Sequence, residues 1–84
     1  MVTTEISKAF VVEVHIARVN DETSNLESKQ IARPEFTTAS DAFDYHTQAI
    51  GYFRFAIQDS DIHHIDIEVI HNGECFEFTQ ITRD

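Results

Sequence analysis

The stretch Ile62–Phe78, "IHHIDIEVIHNGECFEF", decides what kind of fold this chain builds. Ile65, Ile67 and Val69 recur at every second position, the period of a half-buried strand. Asn72-Gly73 follows, the strongest short signal for a two-residue hairpin, because a type I′ turn needs positive φ at both central residues. Such a turn predicts His71 opposite Glu74, Val69 opposite Phe76 and Ile67 opposite Phe78, so that the bulky apolar partners share one face. The other face then pairs Glu68 with Glu77 and Asp66 with Thr79. The histidines and carboxylates therefore read first as the solvent side of a hairpin spanning about 62–71 and 74–82.

That outer face has an odd charge pattern. Glu68 opposite Glu77 is a like-charge pair, costing roughly a few tenths of a kcal/mol or more. Mixed charges would serve solubility better; a concentrated negative face suits a cationic partner or a metal.

Upstream, "KAFVVEVHIARV" alternates over about residues 8–19. Phe10, Val12, Val14 and Ile16 share one face; Val11, Glu13, His15 and Ala17 share the other, which adds Glu13 and His15 to the acidic side. "NDETSNLE", Asn20 to Glu27, is turn chemistry. A weak edge strand follows at about 28–36. Its anchors Ile31 and Phe36 differ in parity, and Pro34, which cannot donate to a ladder, lies between them; a bulge or an edge position reconciles both facts.

Thr38 with Asp41 three residues later forms a capping-box pattern, Asp standing in for the usual Glu. Ala39, Ala42, Phe43, His46, Ala49, Ile50, Phe53 and Ile57 then recur at three- and four-residue steps, predicting an amphipathic helix over about 39–58. Asp59–Asp61 ends it, a poor electrostatic stop at the negative end of the helix dipole. The order strand, strand, helix, strand, strand predicts an α+β fold. It is a single domain (1–84) with a four-stranded, mainly antiparallel sheet and one helix on one face, ββαββ. The opposite sheet face is left to solvent or to a partner.

Composition narrows the function. The 84 residues carry 15 acids against six bases, a formal charge of −9. Such a chain repels nucleic acid and anionic lipid, so direct nucleic-acid or membrane binding is not expected. A protein partner with a basic surface fits; plain solubility accounts for the charge equally well. Cys75 is the only cysteine, which excludes an internal disulfide and fits a reducing compartment. No basic leader or 18-residue apolar run occurs, so the expected location is cytoplasmic.

His64, Asp66 and Glu68 line up on the outer face and are weak metal candidates, with His15 able to join them. Alternate residues on a strand lie about 6.5–7 Å apart, long for one ion, so no metal site is expected. His46 falls on the apolar helix face and reads as a core-edge histidine with one satisfied nitrogen. His63 and His71 belong at the rim of the core. A reactive Cys75 needs cationic neighbours, and Glu74 and Glu77 offer the reverse. The only glycines, Gly51 and Gly73, belong to no phosphate-binding loop, and neither a nucleophile elbow nor a triad is present. The expectation is a non-enzyme without a cofactor. On the helix, Tyr45 and Tyr52 flank the apolar stripe and either widen the core or make contacts. Phe55 points nearly opposite and is the best single contact residue. The predicted partner-binding set is Glu13, His15, Asp66, Glu68, Glu77, Phe55, Tyr52 and Tyr45.

"FVVEVHIARV", the capped helix start "TTASDAF" and the hairpin "VIHNGECFEF" together give a short acidic ββαββ chain. In that organisation it resembles small phage-encoded inhibitors, anti-CRISPR proteins among them. The resemblance implies a stoichiometric inhibitor that occupies a basic nucleic-acid groove, with carboxylates standing where phosphates would sit. The alternatives are a homodimeric accessory protein and a weak metal or small-ligand binder using the His/carboxylate face.

Overall fold

The structure, a computed structural model, describes residues 9–59 and 61–83. The start of the first strand at residue 8 lies outside them. The elements are β1 (Phe10–Val19), β2 (Leu26–Ala32), β3 (Glu35–Phe36), α1 (Ala39–Ala56), β4 (Ile62–His71) and β5 (Glu74–Thr82). A 3₁₀ turn, Ile57–Asp59, extends α1. The fold is α+β, with one antiparallel sheet in the order β2-β1-β4-β5.

The sheet has five strands rather than four. The expected edge strand is split in two, and Pro34 is the reason. β2 follows β1 from Val19↔Leu26 to Val14↔Ala32, with Ile31 as the extra residue of a bulge. The chain then leaves the ladder at Arg33-Pro34 and rejoins it as β3, pairing Val11 with Glu35 and Phe10 with Phe36. Proline has no N–H to give, but its carbonyl still accepts from Val12 N at 3.0 Å, so β1 keeps its bond across the kink. The bulge accounts for the parity conflict between Ile31 and Phe36.

The turn at Asn72-Gly73 forms as its chemistry requires, with φ of 53° and 79°, and His71 faces Glu74. Beyond it the expected register is wrong. A bulge between Val69 and Ile70 inserts Phe76 as an extra residue, giving Val69↔Glu77, Glu68↔Phe78, Ile67↔Thr79, Asp66↔Gln80 and Ile65↔Ile81. The unbulged ladder would bury Phe78 and put Ile81 on the outer side. The bulged one buries Ile81 among the core residues and leaves Phe78 half exposed. Phe76 stays on the apolar rim, its ring beside those of Phe10 and His71. One slip therefore moves Glu77 and Thr79 to the helix side and Phe78 to the outer side.

The core lies between the inner rows of β1 (Val12, Val14, Ile16), β4 (Ile65, Ile67, Val69) and β5 (Ile81), and the helix residues Ala42, Ala49 and Ile57. Two alanines at the contact let α1 approach the sheet closely. Phe43, expected in the apolar stripe, lies outside the core with about a third of its surface exposed; Ile50 and Phe53 are half-buried at the core's margin.

Thr38 caps α1 as expected: its Oγ1 accepts from Asp41 N at 3.2 Å. At the other end α1 stops at Ala56, short of Gln58, whose side chain donates to the Arg54 carbonyl. Replacing Thr38 with alanine should cost about 1 kcal/mol, read as a lower urea midpoint at unchanged slope. Replacing it with aspartate, which caps as well and suits the helix dipole, should restore stability.

Candidate functional site

The sheet face opposite α1 is not covered by any element among the described residues. Its two central strands present matching rows. β1 contributes Val11, Glu13, His15 and Ala17; β4 contributes Ile70, Glu68, Asp66 and His64. The ladder pairs them as Val11↔Ile70, Glu13↔Glu68, His15↔Asp66 and Ala17↔His64. Val11 and Ile70 close the rows at one end and Ala17 closes the β1 row at the other, opposite His64; Val11 and Ala17 are buried. Between the ends lies a block of three carboxylates, Glu13, Asp66 and Glu68, and the His15 imidazole, with His64 next to Asp66 at the end of its row.

Within the block, His15 Nε2 lies 3.0 Å from Glu13 Oε1. Arg33 Nε donates to Glu13 Oε2 at 3.2 Å and its guanidinium reaches Glu35 at 3.6 Å. His64 Nε2 lies 3.5 Å from Asp66 Oδ2, and Gln80 donates to Asp66 Oδ1 at 3.0 Å. The hydrogen bond from His15 and that from Arg33 outweigh partial burial and hold the Glu13 carboxyl below its ordinary value. Glu13 is thus a firmly ionised group, with its side chain only 20% exposed.

The like-charge pair predicted from the sequence, Glu68 with Glu77, does not form, because the Phe76 bulge turns Glu77 to the other face; a different one does. Glu68 faces Glu13 on β1, while its β5 neighbour is Phe78. Like charges directly opposite each other are destabilising. Glu68→Gln should therefore raise stability by a few tenths to about 1 kcal/mol, seen as a higher melting temperature; an unchanged or lower one would mean the repulsion is already relieved.

Of the residues predicted to bind a partner, the structure brings Glu13, His15, Asp66 and Glu68 together. Glu77 does not belong with them: it faces Val69 and lies on the helix side, where its charge acts on His46. Tyr45 packs its ring 5.4 Å from Phe36 and widens the core. Tyr52 is 67% exposed and Phe55 81% exposed; both are on α1, across the core from the acidic block. Arg54 lines a hollow with Gln58, Gln80, Ile81 and Thr82. Arg33 and Gln80 were missed from sequence. Arg33 had a signal, since it precedes the proline that turns the chain back over β1; Gln80 had none, because its place depends on the bulge.

No group of three His, Cys, Asp or Glu side chains is placed to hold a metal ion among the described residues. His64 and Asp66 are neighbours, but Glu68 faces Glu13 instead of converging with them. His63 departs from the core rim expected for it: it is the bulged residue between Ala17↔His64 and Arg18↔Ile62, exposed, with Nδ1 2.8 Å from Nδ1 of His64. His71 does sit at the rim, stacked on Phe10 with centroids 3.9 Å apart. Cys75 is exposed opposite Ile70, its thiol donating to the Glu77 carbonyl.

No protein-family model matches this chain, and no curated protein or solved structure is significantly similar to it. Its function rests on its own geometry.

His46 is buried under α1, with Nε2 3.2 Å from Thr79 Oγ1. Burial pushes its pKa down, and the charge of Glu77 only partly opposes this. With a folded pKa below the unfolded one, the unfolded chain takes up a proton that the native protein refuses. Stability should therefore fall as pH drops below about 6.5, the unfolded histidine value. A second fall should begin below the ordinary 4.5 of Glu13, whose depressed pKa contributes stability only while it is ionised. Urea midpoints between pH 8 and 4 check this. A His46→Leu variant should lose the upper limb and keep the lower.

Among the described residues, no helix is long and apolar enough to cross a membrane.

Proposed function

We propose that this protein is a small acidic protein-binding module that acts as a stoichiometric inhibitor. It docks the open face of β1 and β4 on a basic, nucleic-acid-binding surface of a partner. The observation that supports this most is the pair Glu13↔Glu68 with Asp66 beside it, on a face that no element among the described residues covers. A sheet face is rigid, so its carboxylates are presented at fixed spacing, about 6.5–7 Å along one strand. A partner's arginines or lysines would relieve the Glu13–Glu68 repulsion on binding, as a cationic groove does for nucleic-acid phosphates. Arg33 already neutralises part of Glu13, which makes Asp66 and Glu68 the stronger contacts. This is the reading that the layout shared with small phage-encoded inhibitors implies, with Glu77 removed from the set.

The test is affinity purification with the wild-type protein and with a face variant carrying Glu13→Gln, Asp66→Asn and Glu68→Gln. A basic partner retained by the wild type, released as salt rises and lost in the face variant supports the reading. Equal retention by both proteins overturns it.

A further inference from the structure

The three carboxylates of the open face are not equally occupied. Glu13 is held by His15 and Arg33, and Asp66 by Gln80 with His64 beside it. Glu68, half-buried next to both, has neither a hydrogen bond nor an ion pair among the described residues. On its other side lies Phe78, 50% exposed. The bulge that sends Ile81 into the core turns this ring outward, so one row across β1, β4 and β5 reads Glu13, Glu68, Phe78. Directly opposite residues on one face hold their Cβ atoms about 4.5–5.5 Å apart. A single side chain laid on the row therefore reaches both the carboxylate and the ring. The chain itself shows how a guanidinium sits on this face: Arg33 donates through Nε to Glu13 at 3.2 Å while its other end reaches Glu35 at 3.6 Å.

We infer that Glu68 and Phe78 together anchor one arginine side chain of the partner. The inference rests on the docking proposed above and names the side chain that the open face takes. A guanidinium lying flat on the Phe78 ring turns its edge, with a pair of N–H donors, toward Glu68. The two contacts do not compete, because the ring uses the face of the guanidinium plane and the carboxylate uses its edge. A lysine ammonium is a compact, strongly hydrated point charge without such a plane. It meets Glu68 but gains less from the ring, so the face should select arginine over lysine at equal charge.

The probes are two peptides of equal length and charge, one alternating glycine with arginine and the other glycine with lysine, titrated by calorimetry at low salt. The arginine peptide should bind several-fold to about tenfold more tightly. Phe78→Leu keeps every charge and an apolar side chain; it should bring the arginine peptide to the level of the lysine peptide, with an unchanged circular dichroism spectrum. Phe78→Trp, whose ring attracts cations more strongly, should widen the gap. Glu68→Gln should weaken the arginine peptide more than Glu22→Gln, which removes the same charge from the exposed turn after β1. Equal affinity of the two peptides, a preference that survives Phe78→Leu, or equal losses from Glu68→Gln and Glu22→Gln would each overturn the arginine anchor. Failure of the anchor is distinct from failure of the docking. Two peptides that bind alike, and are both lost in the Glu13→Gln, Asp66→Asn, Glu68→Gln variant, overturn the anchor and leave the docking standing; no binding of either peptide overturns both.

Discussion

Ile67→Ala should leave the protein largely unfolded under conditions where the wild type is folded. Ile67 is fully buried at the centre of β4, between Val14 on β1 and Thr79 on β5, beneath α1. Truncating a buried isoleucine costs roughly 2–5 kcal/mol, because lost transfer energy and the cavity left behind add. Rigid strands on both sides cannot collapse into the space, which favours the upper half of that range. A domain of 84 residues has little to spare, since total stabilities start at about 5 kcal/mol. In a chain of this size each kcal/mol moves the melting temperature by roughly 4–8 °C, so a fall on the order of 10–30 °C is expected by circular dichroism. Ile31→Ala is the control. Ile31 is a bulged, half-exposed residue on an edge strand, and its loss should cost under about 1 kcal/mol. Equal costs at the two sites would contradict the placement of the core.

The neutral triple Glu13→Gln, Asp66→Asn, Glu68→Gln should abolish partner binding. Close charge pairs in desolvated interfaces couple by about 1.5 kcal/mol at the low end. Three such losses amount to roughly a thousandfold in affinity. The fold should survive, because the change removes the Glu13–Glu68 repulsion as well as the Glu13–Arg33 bond. Net charge is the confounding effect, since any acidic protein loses attraction to a cation when three acids are removed. The matched control is Asp21→Asn, Glu22→Gln, Asp44→Asn, which takes the same charge from exposed turn and helix positions. It should bind within a few-fold of the wild type. If both triples weaken binding alike, long-range attraction accounts for the interaction and the open face is not the docking site.

The two predictions lean on different parts of the sequence. Ile67 could be assigned to the core directly from the alternation "IDIEV", because side chains two apart on a strand share a face whatever the strand pairs with. The same holds for Val12, Val14 and Ile16, and for the grouping of Glu13 with His15 and of Asp66 with Glu68. Thr38 as cap and Asn72-Gly73 as turn were equally legible, since each depends on bonds or φ values within a few residues.

What lay beyond local chemistry was the relation of one strand to another. The residues of β5 alternate as expected, yet a single inserted residue, Phe76, exchanged its faces and moved Glu77 from the acidic block to the neighbourhood of His46. The sequence contains the turn that starts the register but not the packing that slips it. The slip answers to the whole core, which accepts Ile81 under the helix and leaves Phe78 outside. Pro34 announced a break in the edge strand; that the break carries Arg33 back to Glu13 depends on where β1 lies. The amino-acid sequence by itself determined the long elements, the apolar faces of β1 and β4, the cap and the turn, because those follow from periodicity and short-range bonds. Tertiary structure alone decided which carboxylates meet, which one arginine neutralises and which strand edge stays open, because cross-strand pairing is selected by the burial of the core as a whole.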